Sequence, residues 1–376
     1  MIRISSTLAA ELRGQAFVAT STAYHAAEAL IAKHKVAPSQ REAWHVAQLC
    51  ASVRQLASAW RSAIAAEVPR ATLSMSSVFT HQKPYVKWTH SRSGRPRCEL
   101  ADLLIAVIDR RAAPAKGVAI LVQAKNSGRG RVRLTTPSEQ TQFELLSRRP
   151  TFDVDASPGP TNVDLRRYSP DAALLYGLAN KHPHFRGAWG WPLSSYIWCD
   201  TWLTTDGLGT LPTTPSPLVI ASESLASVLV DLLRGVCGWE FDLPPGGHGW
   251  NHFAVPPQRD DWSMLINFLL EDTFKGSMSP RLAIPAGQGI RGKEEQLFFS
   301  ATAPRTGSMF LITDGYSHLG QFATATGGGT DIPQWRPASF DNWGGDGGRP
   351  GQADNGENAP EGGPISALII ELGSKD

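Results

Sequence analysis

Apolar residues in the first part of the chain recur at helical spacing. The stretch from Ser39 to Glu67 opens with a capping-box pattern, Ser39 followed by Glu42 three residues on. The apolar residues after it fall on one face of a long helix: Trp44, Ala47, Cys50, Val53, Leu56, Trp60 and Ile64. Pro69 cannot continue a helix. The pattern predicts an N-terminal helical segment over residues 1–68, whose last helix packs on the rest of the protein.

After residue 69 the pattern changes to strands. Four stretches are separated by turn-forming and basic residues: SMSSVFT, PYVKW, ELADLLIAVI and GVAILVQAK. The last two are almost continuously aliphatic, as is typical of central strands buried on both faces. A helix is predicted from Thr136 to Arg149, where Pro150 stops it, and a further strand over residues 171–178.

The C-terminal part reads as a mixture of helices and strands. Helices are predicted from Ser222 to Leu233 and from Asp260 to Phe274, and strands at SSYIWCDTWL, SMFLITDGY and SALIIELG. Residues 327–364 contain 11 Gly and 5 Pro, which predicts a long loop. We therefore expect an α/β fold. Its predicted parts are a helical segment (1–68), a core (69–200) and an α+β C-terminal region (201–376).

Charge is divided unevenly along the 376 residues. The net charge of +2 combines 22 Lys+Arg and 9 Asp+Glu in residues 1–150 with 14 and 25 in residues 151–376. The basic front half favours a polyanionic partner, nucleic acid first. Because we find neither a membrane-length apolar run nor a secretory signal, and the cysteines are unpatterned, we expect a cytoplasmic protein without a membrane partner.

Polar residues stand at the ends of the two most apolar predicted strands. Glu99 and Asp102 begin one, and Gln123 and Lys125 end the next. If the two strands pair as a hairpin, Asp102 lies beside Gln123 and Lys125 on one face of the sheet. A buried carboxylate is costly unless it is paired or binds a metal, and Mg²⁺ or Mn²⁺ takes carboxylate and amide oxygens. An adjacent lysine can orient water and stabilise charge on a phosphate.

This order of elements and residues resembles the PD-(D/E)XK nuclease superfamily, whose core is that of many restriction endonucleases. The resemblance implies a mixed central sheet flanked by helices. The resemblance covers about residues 40–180. It implies that Asp102 binds the metal, that Gln123 occupies the second motif position, that Lys125 is the catalytic lysine and that Glu99 is a further acidic ligand. It also implies a DNA-contacting role for Gln140 in the following helix.

The motif departs from the family pattern at two positions. Ala101 stands where proline is common, and Gln123 stands where Asp or Glu is usual. The Q-x-K form is similar to that of Mrr-like members, but it removes one negative charge. A glutamate of the first helix could compensate, and Glu42 and Glu67 are both candidates.

Basic clusters near these strands suggest a nucleic-acid surface. Lys83, Lys87, Arg129 and Arg131 are the residues expected to contact nucleic acid, and Arg110, Arg111 and Lys116 fill a further basic turn.

Together these features predict a Mg²⁺- or Mn²⁺-dependent DNA endonuclease, and the resemblance suggests a role in restriction or antiphage defence. Cutting both strands of DNA often uses two such sites, which is compatible with a homodimer. Two alternatives stay open. One is a non-catalytic nucleic-acid-binding protein with a degenerate nuclease fold, and the other is an interaction scaffold that uses the acidic C-terminal half.

Overall fold

The structure is a computed structural model of the full chain. The parts of the chain that it describes are residues 2–36, 38, 41–79, 84–88, 97–111, 114–127, 131–156, 159–168, 173–181, 194–200, 218–220, 223–243, 260–278, 297–301 and 365–374. The predicted loop 327–364 and the predicted strand SMFLITDGY lie outside these residues, as do Ser39, Lys83 and Arg129.

Six helices lie within the described residues. Their bounds are α1 Ser6–His34, α2 Arg41–Ala51, α3 Val53–Glu67, α4 Pro137–Arg148, α5 Leu225–Arg234 and α6 Asp261–Met278. The described strands are β1 Ala71–Phe79, β2 Tyr85–Lys87, β3 Arg97–Glu99, β4 Leu103–Asp109, β5 Lys116–Ser127, β6 Arg131–Arg133, β7 Asp153–Val154, β8 Leu174–Lys181, β9 Ser194–Asp200, β10 Leu218–Ile220, β11 Glu223–Ser224, β12 Trp239–Asp242, β13 Leu297–Ala301 and β14 Ser366–Ser374.

The central sheet is mixed and flanked by helices, as the sequence predicts. Its strand order is β11-β9-β8-β5-β4-β14-β1-β13, and β12 pairs with the first residues of β5. β4 runs antiparallel to β5 and parallel to β14, while β5 runs parallel to β8. Helices α2 and α3 pack on β1, α4 on β8 and α5 on β9. β4 is buried along its whole length, which explains its unbroken aliphatic sequence.

The predicted helix from Ser39 to Glu67 is divided into two. The division falls at Ser52, which keeps right-handed backbone angles (φ −72°, ψ −9°) and whose hydroxyl donates a hydrogen bond to the Leu49 carbonyl at 2.7 Å. The predicted apolar face is nevertheless correct, because all seven of its residues are buried. Ser77 Oγ donates to the Cys50 carbonyl at 2.7 Å and ties this helical pair to β1.

The predicted strand ELADLLIAVI is also two strands, which lie in different sheets. β3 ends at Glu99 and belongs to a three-stranded sheet, β3-β2-β7, whereas β4 begins at Leu103 in the central sheet. The residues between them hydrogen-bond to both sheets. Leu100 N–H donates to the Pro84 carbonyl next to β2, and Asp102 N–H donates to the Val122 carbonyl of β5. Glu99 and Asp102 are therefore not on one strand, and the predicted PYVKW strand is not in the central sheet.

The C-terminal strand occupies the middle of the central sheet. β14 lies between β1 and β4, with Ile369 opposite Ala106 on one side and Ser76 on the other. The sheet thus draws strands from both sides of the boundary predicted at residue 200. Sequence patterns predicted the strand SALIIELG, but the position of a strand within a sheet depends on contacts far apart in the chain.

We expect Ile369→Ala to lower the free energy of unfolding by about 2–5 kcal/mol, because it leaves a cavity under a strand paired on both sides. Urea unfolding followed by circular dichroism measures this. Val236→Ala is the control, because Val236 is 65% exposed and its truncation should change stability by less than about 0.5 kcal/mol. Equal, small effects of the two substitutions would contradict a central position for β14.

Candidate active site

One end of strand β5 extends past its neighbour β4. The pairing between them ends at Leu103 opposite Val122, while β5 continues to Ser127 beside β8. Residues 123–127, the β5 extension, therefore have no strand residue of β4 opposite them. Two carboxylates take that place: Asp102 Oδ2 accepts from Ala124 N–H at 2.6 Å, and Glu42 Oε1 accepts from Asn126 N–H at 3.2 Å.

The side chains of the β5 extension complete the cluster. Gln123 Nε2 donates a hydrogen bond to Asp102 Oδ2, and Lys125 Nζ lies 3.3 Å from Glu42 Oε2. Gln123 and Lys125 are almost fully buried, at 1% and 7% exposure. The structure thus brings together Asp102, Gln123 and Lys125 as the hairpin argument predicted, because β4 and β5 are antiparallel neighbours.

Of the two candidate glutamates, the structure places Glu42 at the site. It lies in the first turn of α2 and contacts both Lys125 and the backbone of Asn126. Glu67, at the end of α3, instead accepts hydrogen bonds from Ser5 N–H and Ser5 Oγ, at 2.7 and 2.6 Å. Sequence spacing could not separate them, because both stand near ends of helical segments.

Glu99 approaches the same cluster from the three-stranded sheet. Burial raises its pKa well above the usual range, and the nearby carboxylates of Asp102 and Glu42 add to this, while Lys125 opposes it. Glu99 is therefore near enough to Asp102, Lys125 and Glu42 for their charges to act on it.

The ionised state of Asp102 is also costly. Its pKa is raised to about 7, mainly by burial and also by the charge of Glu42, although Lys125 and the hydrogen bonds from Ala124 and Gln123 act in the other direction. For Lys125 burial lowers the pKa, but the carboxylates of Glu42, Asp102 and Glu139 outweigh burial, so its pKa is raised. Lys125 is therefore a positively charged ammonium group. Its charge only partly offsets the cost of ionising the neighbouring buried carboxylates.

Tyr176 belongs to the site although the sequence did not single it out. It lies opposite Gln123 in the parallel pairing of β5 and β8, and its ring stacks on Phe143 of α4. Its buried hydroxyl and the buried Gln123 Oε1 both lack a hydrogen-bond partner among the described residues. Tyr176 is a polar-tipped residue in an otherwise apolar predicted strand, but its register against β5 could not be read from the sequence.

The residues expected to bind nucleic acid are only partly described. Lys83 and Arg129 lie outside the described residues, and Arg131 is described only by its backbone, which pairs with Ile220. Lys87 is exposed on β2 and lies 3.7 Å from Asp155. Gln140 is half-buried in the first turn of α4, where its N–H donates to the Thr136 carbonyl. The charge of Glu139 in the same turn contributes to the raised pKa of Lys125.

The basic turn of Arg110, Arg111 and Lys116 is not near the site. It lies at the other end of β4, seven residues away, or roughly 20 Å along the strand. There Arg110 pairs with Glu371 and Arg111 with Asp109, both at 2.7 Å. The expectation that this cluster lies around the site was wrong. The turn that joins β4 and β5 is at one end of these strands, and the site is at the other end.

The donor types suit a hard divalent cation. Among the described residues, no three His, Cys, Asp or Glu side chains are arranged closely enough to hold a metal ion. The charges of Asp102 and Glu42 nevertheless act on Glu99, and the Gln123 amide, whose nitrogen donates to Asp102, leaves its buried oxygen without a partner among the described residues. A cation would offset the repulsion among these carboxylates and would give the amide oxygen a partner, so the donor types, though not their arrangement in this structure, suit Mg²⁺ or Mn²⁺.

Comparison of the chain with protein-family models, with curated proteins and with solved structures finds no match. Among the helices that the structure describes, none is long and apolar enough to cross a membrane.

We expect Asp102→Asn to raise the melting temperature of the metal-free protein, and to do so more at pH 8 than at pH 5. The folded-state pKa of Asp102 is raised to about 7, so its contribution to stability is complete below its unfolded pKa and is lost as the pH rises through 7. The substitution removes the charge that costs stability at pH 8. Thermal unfolding in EDTA at both pH values measures the difference.

Asp109→Asn at the other end of β4 is the matched control. Burial would raise the pKa of Asp109, but hydrogen bonds and charge from Arg111 outweigh it and lower the pKa. Its stabilising effect is present above its unfolded pKa, so the substitution should lower the melting temperature at both pH values. If Asp102→Asn destabilises the protein as Asp109→Asn does, the cost assigned to the Asp102 carboxylate is wrong.

Proposed function

We propose that this protein is a metal-dependent nuclease that hydrolyses phosphodiester bonds, with DNA as substrate and endonucleolytic cleavage as its reaction. The observation that carries the proposal is the convergence of Asp102, Gln123, Lys125 and Glu42 where β5 extends past β4. The order α3, β1, β4, β5, α4, β8 supports a restriction-endonuclease-like core around it. A role in restriction or antiphage defence follows only from the resemblance.

The proposed roles follow from the position of each side chain. Asp102, Glu99, Glu42 and the Gln123 amide oxygen would hold Mg²⁺ or Mn²⁺. When bound, the cation supplies Lewis acidity toward a phosphoryl oxygen and lowers the pKa of a coordinated water. Lys125 Nζ, buried and positively charged, would donate hydrogen bonds to the attacking water and to the phosphate, where negative charge develops. Glu42 orients Lys125 through their ion pair.

A non-catalytic nucleic-acid-binding protein is the second candidate. One observation favours it: the Gln123 amide already donates to the Asp102 oxygen that also accepts from Ala124. This arrangement satisfies Asp102 without a cation. Such a protein would bind nucleic acid without metal and would not cleave it.

We expect cleavage of plasmid DNA in Mg²⁺ or Mn²⁺, and none in EDTA. Lys125→Ala and Asp102→Ala should each reduce the rate by about 100-fold or more, since each removes charge that acts on the reacting phosphate or its cation. Glu42→Gln should also reduce it strongly, and Glu67→Gln, the other candidate glutamate, is the matched control and should cleave like the parent. Cleavage by Lys125→Ala and Asp102→Ala at the parental rate would disprove the mechanism.

Metal binding has a readout apart from cleavage. Millimolar Mn²⁺ should raise the melting temperature more at pH 8 than at pH 6, because protons compete for carboxylates whose pKa values are raised. Asp102→Ala should abolish the increase, whereas Asp109→Asn should retain it. A shift that is the same in the parent and in Asp102→Ala would place the metal elsewhere.

A further inference from the structure

The three-stranded sheet β3-β2-β7 has one buried and one outward face. Val86, Cys98 and Val154 point into the core and are at most 5% exposed. The pairing places the alternate residues on the other face, with Tyr85 opposite Glu99 and Lys87 opposite both Arg97 and Asp153. Asp155, whose N–H donates to the Tyr85 carbonyl at 2.8 Å, continues this face.

The outward face leads directly into the candidate active site. Glu99 belongs to the carboxylate cluster, and Arg97 lies two residues before it on the same side of β3, about 7 Å away along the strand. Exposure increases in the same direction: Glu99 is half-buried, whereas the side chains of Arg97 and Lys87 are 38% and 54% exposed. Arg97 and the carboxylate of Glu99 are therefore two positions apart on β3, and Lys87 lies opposite Arg97 on β2.

Both cations are held by a single carboxylate. Arg97 Nη2 lies 2.7 Å from Asp155 Oδ2, and Lys87 Nζ lies 3.7 Å from Asp155 Oδ1. To reach Asp155 the Arg97 guanidinium crosses the ring of Tyr85, 4.4 Å from its centroid. An arginine and a lysine around two oxygens of one anion are also the arrangement that binds a phosphate group.

Besides Glu99 of the candidate site and Asp155, this face carries one further described acid, Asp153, which is already engaged. Asp153 Oδ1 accepts a hydrogen bond from Asn162 N–H at 2.8 Å and so fixes the loop after β7. Asp155 differs in that its carboxylate pairs with the cations of neighbouring strands. Because such part-exposed ion pairs are weak, a stronger anion can replace it.

We propose that Lys87 and Arg97 on this outward face bind the phosphate backbone of double-stranded nucleic acid, and that Asp155 occupies the phosphate position until the substrate displaces it. The proposal rests on the proposed function for the identity of the neighbouring site. It adds a docking surface and a competing internal anion.

The aromatic residue on the face favours a duplex over a single strand. Proteins that bind single strands stack bases on open aromatic rings. The ring of Tyr85 is covered by Arg97 and is therefore engaged. The surface offers cations for phosphates, which position a duplex without reading its sequence.

The test is fluorescence anisotropy with a labelled duplex in EDTA, which prevents metal-dependent cleavage. Asp155→Asn should tighten binding about fivefold, because it frees both cations without removing either. The double variant Lys87→Ala/Arg97→Ala should weaken binding about tenfold and reduce the slope of log K against log salt by about 2, one phosphate contact for each cation.

The Arg110–Glu371 pair is the matched control. Its N–O distance is 2.7 Å and the arginine side chain is 38% exposed, as for Arg97 and Asp155, but it lies in the central sheet, at the end of β4 far from the candidate site. Glu371→Gln and Arg110→Ala should change affinity by less than about twofold. Melting temperatures of all variants establish that each is folded.

Three outcomes would overturn the inference: unchanged affinity in Asp155→Asn, a loss in Lys87→Ala/Arg97→Ala no greater than in Arg110→Ala, or tighter binding of an oligothymidine single strand than of the duplex. Its failure is distinct from that of the proposed function. A protein that cleaves DNA but shows any of these three outcomes loses only the docking surface. One that binds as expected but never cleaves DNA with metal loses only the nuclease proposal.

Discussion

The unequal lengths of β4 and β5 are the constraint on which the candidate site depends. Where β4 begins, the next two amide groups of β5 on that side would lose their partners, and a buried unpaired amide is costly. Asp102 and Glu42 accept from these amides in place of a strand. The backbone requirement thus fixes two carboxylates beside Lys125, and the site is part of the sheet's hydrogen-bonding scheme.

This part of the arrangement could be predicted from the sequence. The aliphatic runs predicted two central strands, and alternation within a strand placed Gln123 and Lys125 on one face. Their antiparallel pairing then required Asp102 to lie beside them. What could not be predicted depended on distant contacts: Glu42 rather than Glu67, Tyr176 opposite Gln123, and β14 between β1 and β4. The local sequence pattern determines which face of a strand or helix a residue occupies. It does not identify the distant residues that pack against that face.

The charge division along the chain also has a structural meaning. Cations of the basic front half pair with acids of the back half: Arg110 with Glu371, Arg13 with Asp231 and Arg97 with Asp155. Part of the apparent excess is therefore used inside the molecule, and a count of basic residues overestimates the surface that is open to nucleic acid. The positive charge that nucleic acid can reach depends on which ion pairs it can break. The solvent exposure of each pair determines this more than the number of basic residues does.

The glutamine at position 123 is consistent with this crowded environment. Glu42, Glu99 and Asp102 already surround one lysine, and burial disfavours their ionised forms. A fourth carboxylate at this position would add like charge next to Asp102, whereas the amide donates a hydrogen bond to it and keeps an oxygen unpartnered. With Glu42 supplying a negative charge from α2, the amide reduces repulsion in the metal-free protein and still offers an oxygen ligand. The departure from the usual motif and the position of Glu42 are therefore two parts of one electrostatic arrangement.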